Sequence, residues 1–214
     1  MAPYSEPLLR RLAAHRTMAL QAQLTGNPQV ALATLTHTLL RRAFIDDHFV
    51  HRPVMQVSAT GSAHALLDAA SDLKASPAFT AVEAAKARWR ERLPQQRDEW
   101  FGWLVGLPQS EVLELLALCG ALTVNALPNG GTATDANDVA RALGLDMADW
   151  WEPSAEGFLN HVAKAQIVQV LKEARPELGL REVEGMKKDA LARTAEGYLK
   201  GKRWLPPTMR LPAS

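Results

Sequence analysis

Apolar residues recur every three to four positions along most of the chain, which predicts helices rather than strands. Ser5 is a helix-capping residue type, Glu6 and Pro7 fit a first turn, and Leu8, Leu9 and Leu12 open an apolar face. This helix is expected to run to about Thr25, where Gly26-Asn27 stops it. Asn27-Pro28 starts a second helix, with Leu32, Leu35, Leu39 and Leu40 at helical spacing and an end near Phe44, so the two make a helical hairpin. The period is lost over residues 45–62. Val54, Met55 and Val57 beside Pro53 read as at most one short extended segment near 53–58.

The helical pattern returns over 63–74 and restarts at Ser76-Pro77, with Phe79, Val82 and Trp89 facing inward as far as Leu93-Pro94. Another helix from about Asp98 carries Trp100, Phe101, Trp103 and Leu104, and its tryptophans are expected in the core. Ser110 is expected to cap the next. Residues 112–127 are apolar nearly all round, the pattern of a helix at the centre of a bundle, and Cys119 within them reads as a small buried hydrophobe. Pro128-Asn129-Gly130-Gly131 is the clearest loop. Beyond it come a helix from Thr134 or Asp135 to Leu143 closed by Gly144, an Asp146-capped turn before Trp150 and Trp151, and a helix through Ile167, Val168, Val170 and Leu171. A last helix is expected over Val183–Leu199. The fold class is therefore mostly α. It is read as an irregular multi-helix bundle over 1–127 and a smaller C-terminal helical subdomain over 132–214.

Composition adds exclusions. The chain has 214 residues, 47% hydrophobic and 22% charged, ordinary for a globular protein. No apolar run reaches the ~20 residues of a membrane span. The N-terminal residues lack an apolar signal core, so a cytoplasmic location is expected. A single cysteine excludes an internal disulfide. The net charge of +1 hides a segregation, since residues 1–52 carry +3, residues 53–154 carry −6 and residues 155–214 carry +4. A basic end attracts phosphate backbones.

Candidate chemistry is sparse. Asp46, Asp47, His48 and His51 are the densest set of metal-ligand types, and they alone support a third reading, a metal-dependent hydrolase. His15, His37, His64 and His161 are dispersed. No Gly-x-Ser-x-Gly, His-Glu-x-x-His or phosphate-loop motif is present. No enzyme activity, cofactor or metal is expected. The strongest local signal is GMKKDALARTAEGYLKGKRWLP, residues 185–206. Lys187 and Lys188 begin the last helix, where cations oppose the macrodipole but where a phosphate would meet exposed N–H groups. Arg193, Lys200, Lys202 and Arg203 follow. Trp204 beside them suits either base stacking or packing of the tail against the last helix.

That stretch, with LGLDMADWWEPSAEGFLNHVAKAQIVQVL (143–171) and LLRRLAAHRTMALQAQLTGNPQVALATLTHTLL (8–40), resembles the C-terminal region of ParB-like plasmid and chromosome partition proteins. The likeness covers most of the chain and is weakest over about 52–80. By it, the chain corresponds to the C-terminal module, and the ParB/sulfiredoxin-like and helix-turn-helix domains of such proteins are expected to lie outside it. The matching positions are Trp150, Trp151, Glu156, Gly157, Lys164, Gly185, Lys187, Lys188, Trp204 and Pro206. Ala163 stands where the pattern often has a hydroxyl residue, which weakens a helix cap there. The resemblance implies a DNA-binding, nucleoid- or plasmid-associated role in partition, through non-specific contact with the phosphate backbone, self-association or both. Lys164, Lys187, Lys188, Arg193, Lys200, Lys202 and Arg203 are the expected DNA-contacting residues. A homodimer and a partition ATPase are the other expected partners. The alternative is a helical protein-interaction module, for dimerisation or as an adaptor, with no DNA contact.

Overall fold

The computed structural model describes residues 4–32, 34, 61–127, 134–179, 183 and 185–211. The described residues are mostly helical, with no strand among them. The expected extended segment at 53–58, the loop at 128–131 and the cluster Asp46, Asp47, His48 and His51 lie outside them.

The centre of the molecule is α1 (Glu6–Thr25). Leu8, Leu12, Ala14, His15, Thr17, Met18, Ala19, Leu20, Gln21, Ala22 and Leu24 are all buried, which encloses the helix on nearly every side from Ala14 onward. It packs against α2 (Ala63–Ala69), α3 (Pro77–Arg90) and α5 (Gln109–Ala121). Ala14, Ala19 and Ala22 let those neighbours approach closely, and Gln21 and Thr17 of α1 are hydrogen-bonded across the packing. Gln21 Nε2 donates to Ser62 Oγ (2.7 Å) and the Val124 carbonyl (3.0 Å), and the Ala126 N–H donates to Thr17 Oγ1 (3.1 Å). Helical backbone resumes at Pro28, after the expected stop at Gly26-Asn27.

The central place expected for 112–127 thus belongs to α1. In α5 only Ala117, Leu118 and Ala121 are buried, and Cys119 is exposed. Continuous apolarity reports composition, whereas burial depends on neighbours, and α5 meets α1 and α3 on one side. The Cys119 thiol is nonetheless desolvated enough to raise its pKa, which disfavours a nucleophilic thiolate. Ser110 does not cap α5: the helix begins at Gln109, and Pro108, at the N-cap position, offers no side-chain bond. The Ser76 cap is as expected: its Oγ accepts from the Phe79 N–H (3.1 Å). Of the tryptophans expected in the core, Trp89 is buried and meets Trp103 edge-on (6.5 Å), but Trp100 lies exposed on α4 (Trp100–Gly106).

In the C-terminal part, α6 (Thr134–Ala142) closes at Gly144, whose φ of +61° permits Gly144 N–H to Arg141 and Leu145 N–H to Ala140 bonds. These are the paired bonds of a left-handed helix stop. Asp146 accepts from the Ala148 N–H (2.9 Å) over a single turn, Met147–Asp149. Then come a turn at Leu159–His161, α7 (Lys164–Ala174) and α8 (Lys188–Leu199). The last helix thus begins at Lys188, not at Val183, because Gly185 and Met186 form a turn before it. Phe158, wholly buried, is the aromatic hub. Tyr4 (5.7 Å), Trp151 (5.9 Å) and Trp204 (5.6 Å) surround it, each contact worth about 0.5–1.5 kcal/mol beyond area burial. One hydrophobic cluster contains Leu8 and Leu12 together with Phe158, Leu159, Trp204 and Met209, so residues on both sides of 128–133 share a core.

A polar junction ties three distant stretches together. His15 Nε2 lies 3.2 Å from Asp72 Oδ2. Arg11 lies 3.6 Å from Asp72 Oδ1 and donates to the Glu156 carbonyl (3.0 Å). Against Asp72 sits Gly157, whose N–H donates to Ser154 Oγ (2.8 Å). A Cβ there would fall 2.8 Å from both Asp72 Oδ2 and Ser154 Oγ. The hydrogen bond from His15, with the nearby charges of His15 and then Arg11, outweighs burial and holds the Asp72 carboxyl below its usual pKa.

Two outcomes are expected. Asp72→Asn should cost about 1–3 kcal/mol at neutral pH. A carboxylate with a lowered folded pKa stabilises above its unfolded value of ~3.9 and loses that contribution as pH falls through the folded value. Urea titrations of the variant and the parent should therefore converge in acid below that range. Gly157→Ala should destabilise by about 1–3 kcal/mol, because Asp72 is pinned and cannot yield to the added methyl. Thermal unfolding should show Gly157→Ala far more damaging than Gly197→Ala, a position with open space around its Cβ.

Candidate nucleic-acid interface

Two helices build one end of the C-terminal part. Ala163 is the N-cap of α7 and Lys187 that of α8, and neither side chain accepts a hydrogen bond from the first turn. At α7 the reciprocal half of a capping box survives, since Gln166 Oε1 accepts from the Ala163 N–H (3.0 Å). Absence of an accepting cap leaves first-turn N–H groups directed at whatever lies beyond the helix end.

α7 and α8 pack together and run parallel. At their starts, Lys188 Nζ donates to the carbonyl of Asn160, four residues before α7 (2.8 Å). At their ends, the Arg175 guanidinium lies 5.7 Å from the Tyr198 ring and donates to the Tyr198 carbonyl (3.5 Å). Their two positive dipole ends therefore lie together, accompanied by Lys164, Lys187 and Lys188. Lys187 and Lys188 are exposed, Lys164 is half-buried, and Lys188 retains two further N–H donors.

The remaining predicted cations lie elsewhere. Arg193 is exposed on α8, and Lys200 is exposed just past its end. Lys202 is exposed beyond the helix, in the field of Glu177. Arg203, at φ 55°, is turned onto its own carboxylates, donating to Asp149 Oδ1 (2.7 Å) and Asp146 Oδ2 (2.6 Å). The seven cations thus do not gather at one place. Trp204 is buried, and its Nε1 donates to Glu173 Oε2 (3.0 Å). Its indole anchors the tail rather than offering a free face for stacking.

Of the dispersed histidines, His15 belongs to the buried junction, His64 pairs with Asp68 on the surface (3.0 Å), and His161 Nε2 lies 2.8 Å from the Glu156 carbonyl. His37 lies outside the described residues. No metal-competent group of three His, Cys, Asp or Glu occurs among the described residues. No described helix is long and apolar enough to cross a membrane.

The structure also shows two features that periodicity did not single out. One is a cavity of about 140 Å³ along one side of α7, between it, Tyr4 and Trp204. Its α7 residues, Gln166, Gln169, Val170 and Glu173, fall at helical spacing, but only Val170 is apolar, so they gave no core signal. The other is α4, which has no buried residue and exposes Phe101 (78%) and Val105 (70%).

The chain is similar to a protein described as "Uncharacterized protein YubM" from Escherichia coli (strain K12), 34% identical over 212 residues that cover 97% of this chain and 32% of that protein. A protein of the same description from Escherichia coli O157:H7 is 32% identical over 212 residues, again 97% of this chain and 32% of the relative. The chain therefore spans about a third of the length of these curated relatives. No family model and no solved structure matches it.

Proposed function

We propose that this chain is a DNA-contacting accessory module of a ParB-like partition or plasmid-maintenance protein. It grips the phosphate backbone without reading sequence. The observation that carries this reading is the parallel packing of α7 and α8, which gathers two positive helix ends and Lys164, Lys187 and Lys188 at one place. First-turn N–H groups donate to phosphate oxygens, and lysines supply charge without base discrimination. Arg203 is left out of the contact set because Asp146 and Asp149 already neutralise it. Arg193, Lys200 and Lys202 contribute a more distant field.

Replacing Lys164, Lys187 and Lys188 together by Ala should weaken binding to a duplex at least about tenfold at low salt. It should also reduce the slope of log K against log salt by roughly 2–3, the value for three lost phosphate contacts. Fluorescence anisotropy over a salt series measures both. An unchanged slope with retained circular dichroism would remove this end from the interface.

A second reading rests on α4. Its exposed Trp100, Phe101 and Val105 adjoin an uncharged run, residues 100–110, and apolar side chains so placed favour association with a second copy. Sedimentation should then show a concentration-dependent dimer that Phe101→Asp with Val105→Asp returns to monomer. Dimerisation without any DNA retention would favour this reading over the first.

A further inference from the structure

The cavity along α7 has the chemistry of a small, mixed recognition pocket. Tyr4 brings a half-buried aromatic ring to it, the buried Trp204 closes its wall, and α7 brings Gln169 and Glu173. Phe158, against which both rings pack, holds their positions. The Glu173 carboxylate accepts from Trp204 Nε1 through Oε2 (3.0 Å) and from Gln169 Nε2 through Oε1 (3.1 Å). It is 44% exposed, so lone pairs remain for a further donor. These bonds keep Glu173 ionised, and its charge is felt at Tyr4. Arg210, 3.9 Å from Glu173 and holding the Leu205 carbonyl, balances that charge in place. Gln169 keeps a second amide N–H.

From this arrangement we infer that the cavity takes a single nucleobase, from a single strand or a free nucleotide, with an exocyclic amino group directed at Glu173. Two observations converge. The space of about 140 Å³ suits one base and not a base pair. An aromatic ring with an acceptor and a donor beside it is the combination that stacks a base and reads its edge. The inference rests on the polyanion reading above and deepens it. The lysine end holds the backbone, and the cavity accepts one base that has left the stack. Because Glu173 accepts only, cytosine, with a 4-amino donor, is preferred over thymine, whose corresponding group is a carbonyl.

The test uses the full chain and three single strands of equal length, oligo-dC, oligo-dT and an abasic backbone, at one low salt concentration. Oligo-dC should bind about tenfold or more tightly than the abasic strand, a factor within the range of one base–aromatic contact. Glu173→Gln should erase the preference for dC over dT. Tyr4→Ala and the exposed Gln169→Ala should each shrink the ratio of oligo-dC to abasic affinity, with circular dichroism checking that the fold is kept. Free dCMP competing as well as the strand identifies a nucleotide pocket, and competition by the strand alone identifies a strand-borne base. Equal binding of oligo-dC and the abasic strand overturns the base pocket and leaves the polyanion reading standing. Failure of every strand and of the duplex to bind overturns both.

Discussion

The near-complete enclosure of α1 is the constraint on which the rest depends. A helix buried on almost every side must be covered by other parts of the chain, and here the cover comes from segments as far apart as α2, α3, α5 and the turn at Pro207–Met209. That demand draws residues on both sides of 128–133 into one core. The polar groups α1 carries inward become the joints of the assembly. His15 and Arg11 meet Asp72, Gln21 meets Ser62, and Thr17 meets the N–H of Ala126. Unmade, each would leave a buried polar group at a cost of about 1–3 kcal/mol. Made, they fix which surface of each neighbour faces α1.

The C-terminal part follows from a second anchor, Phe158. Its ring is held by Tyr4 from the N-terminal end, Trp151 from the segment before α7, and Trp204 from the tail. Once these are in place, α7 and α8 lie side by side with the same polarity, and the Arg203 clamp onto Asp146 and Asp149 fixes the exit of the tail. The basic end is thus a product of packing at Phe158 rather than of the lysines, which only decorate it.

Much of this was legible in the sequence. The boundaries of α1, the Ser76 cap, the Gly144 stop and the Asp146 turn each rest on a local backbone rule, and local rules need no knowledge of neighbours. What the sequence could not decide was which helix is central. α5 is the more apolar, yet α1, with its alanines and partnered polar residues, is the one surrounded. The same limit put Trp100 in the core, because an aromatic at helical spacing looks alike whether or not anything packs on it. At the candidate site, the cations were visible as charge, but their separation into different places was not. Nor was the pairing of Arg203, which depends on carboxylates more than fifty residues away. The cavity residues on α7 were hidden for a similar reason. Gln166, Gln169 and Glu173 read as a solvated face until Tyr4 and Trp204 are brought opposite them.

The parallel arrangement of α7 and α8 has one more consequence. Neighbouring antiparallel helices cancel one another's peptide fields, whereas parallel ones add them. The electropositive character of this end is therefore written partly into amide bonds, which neither titrate nor undergo acetylation. Chemical masking of all three lysines would dim the attraction for anions without extinguishing it.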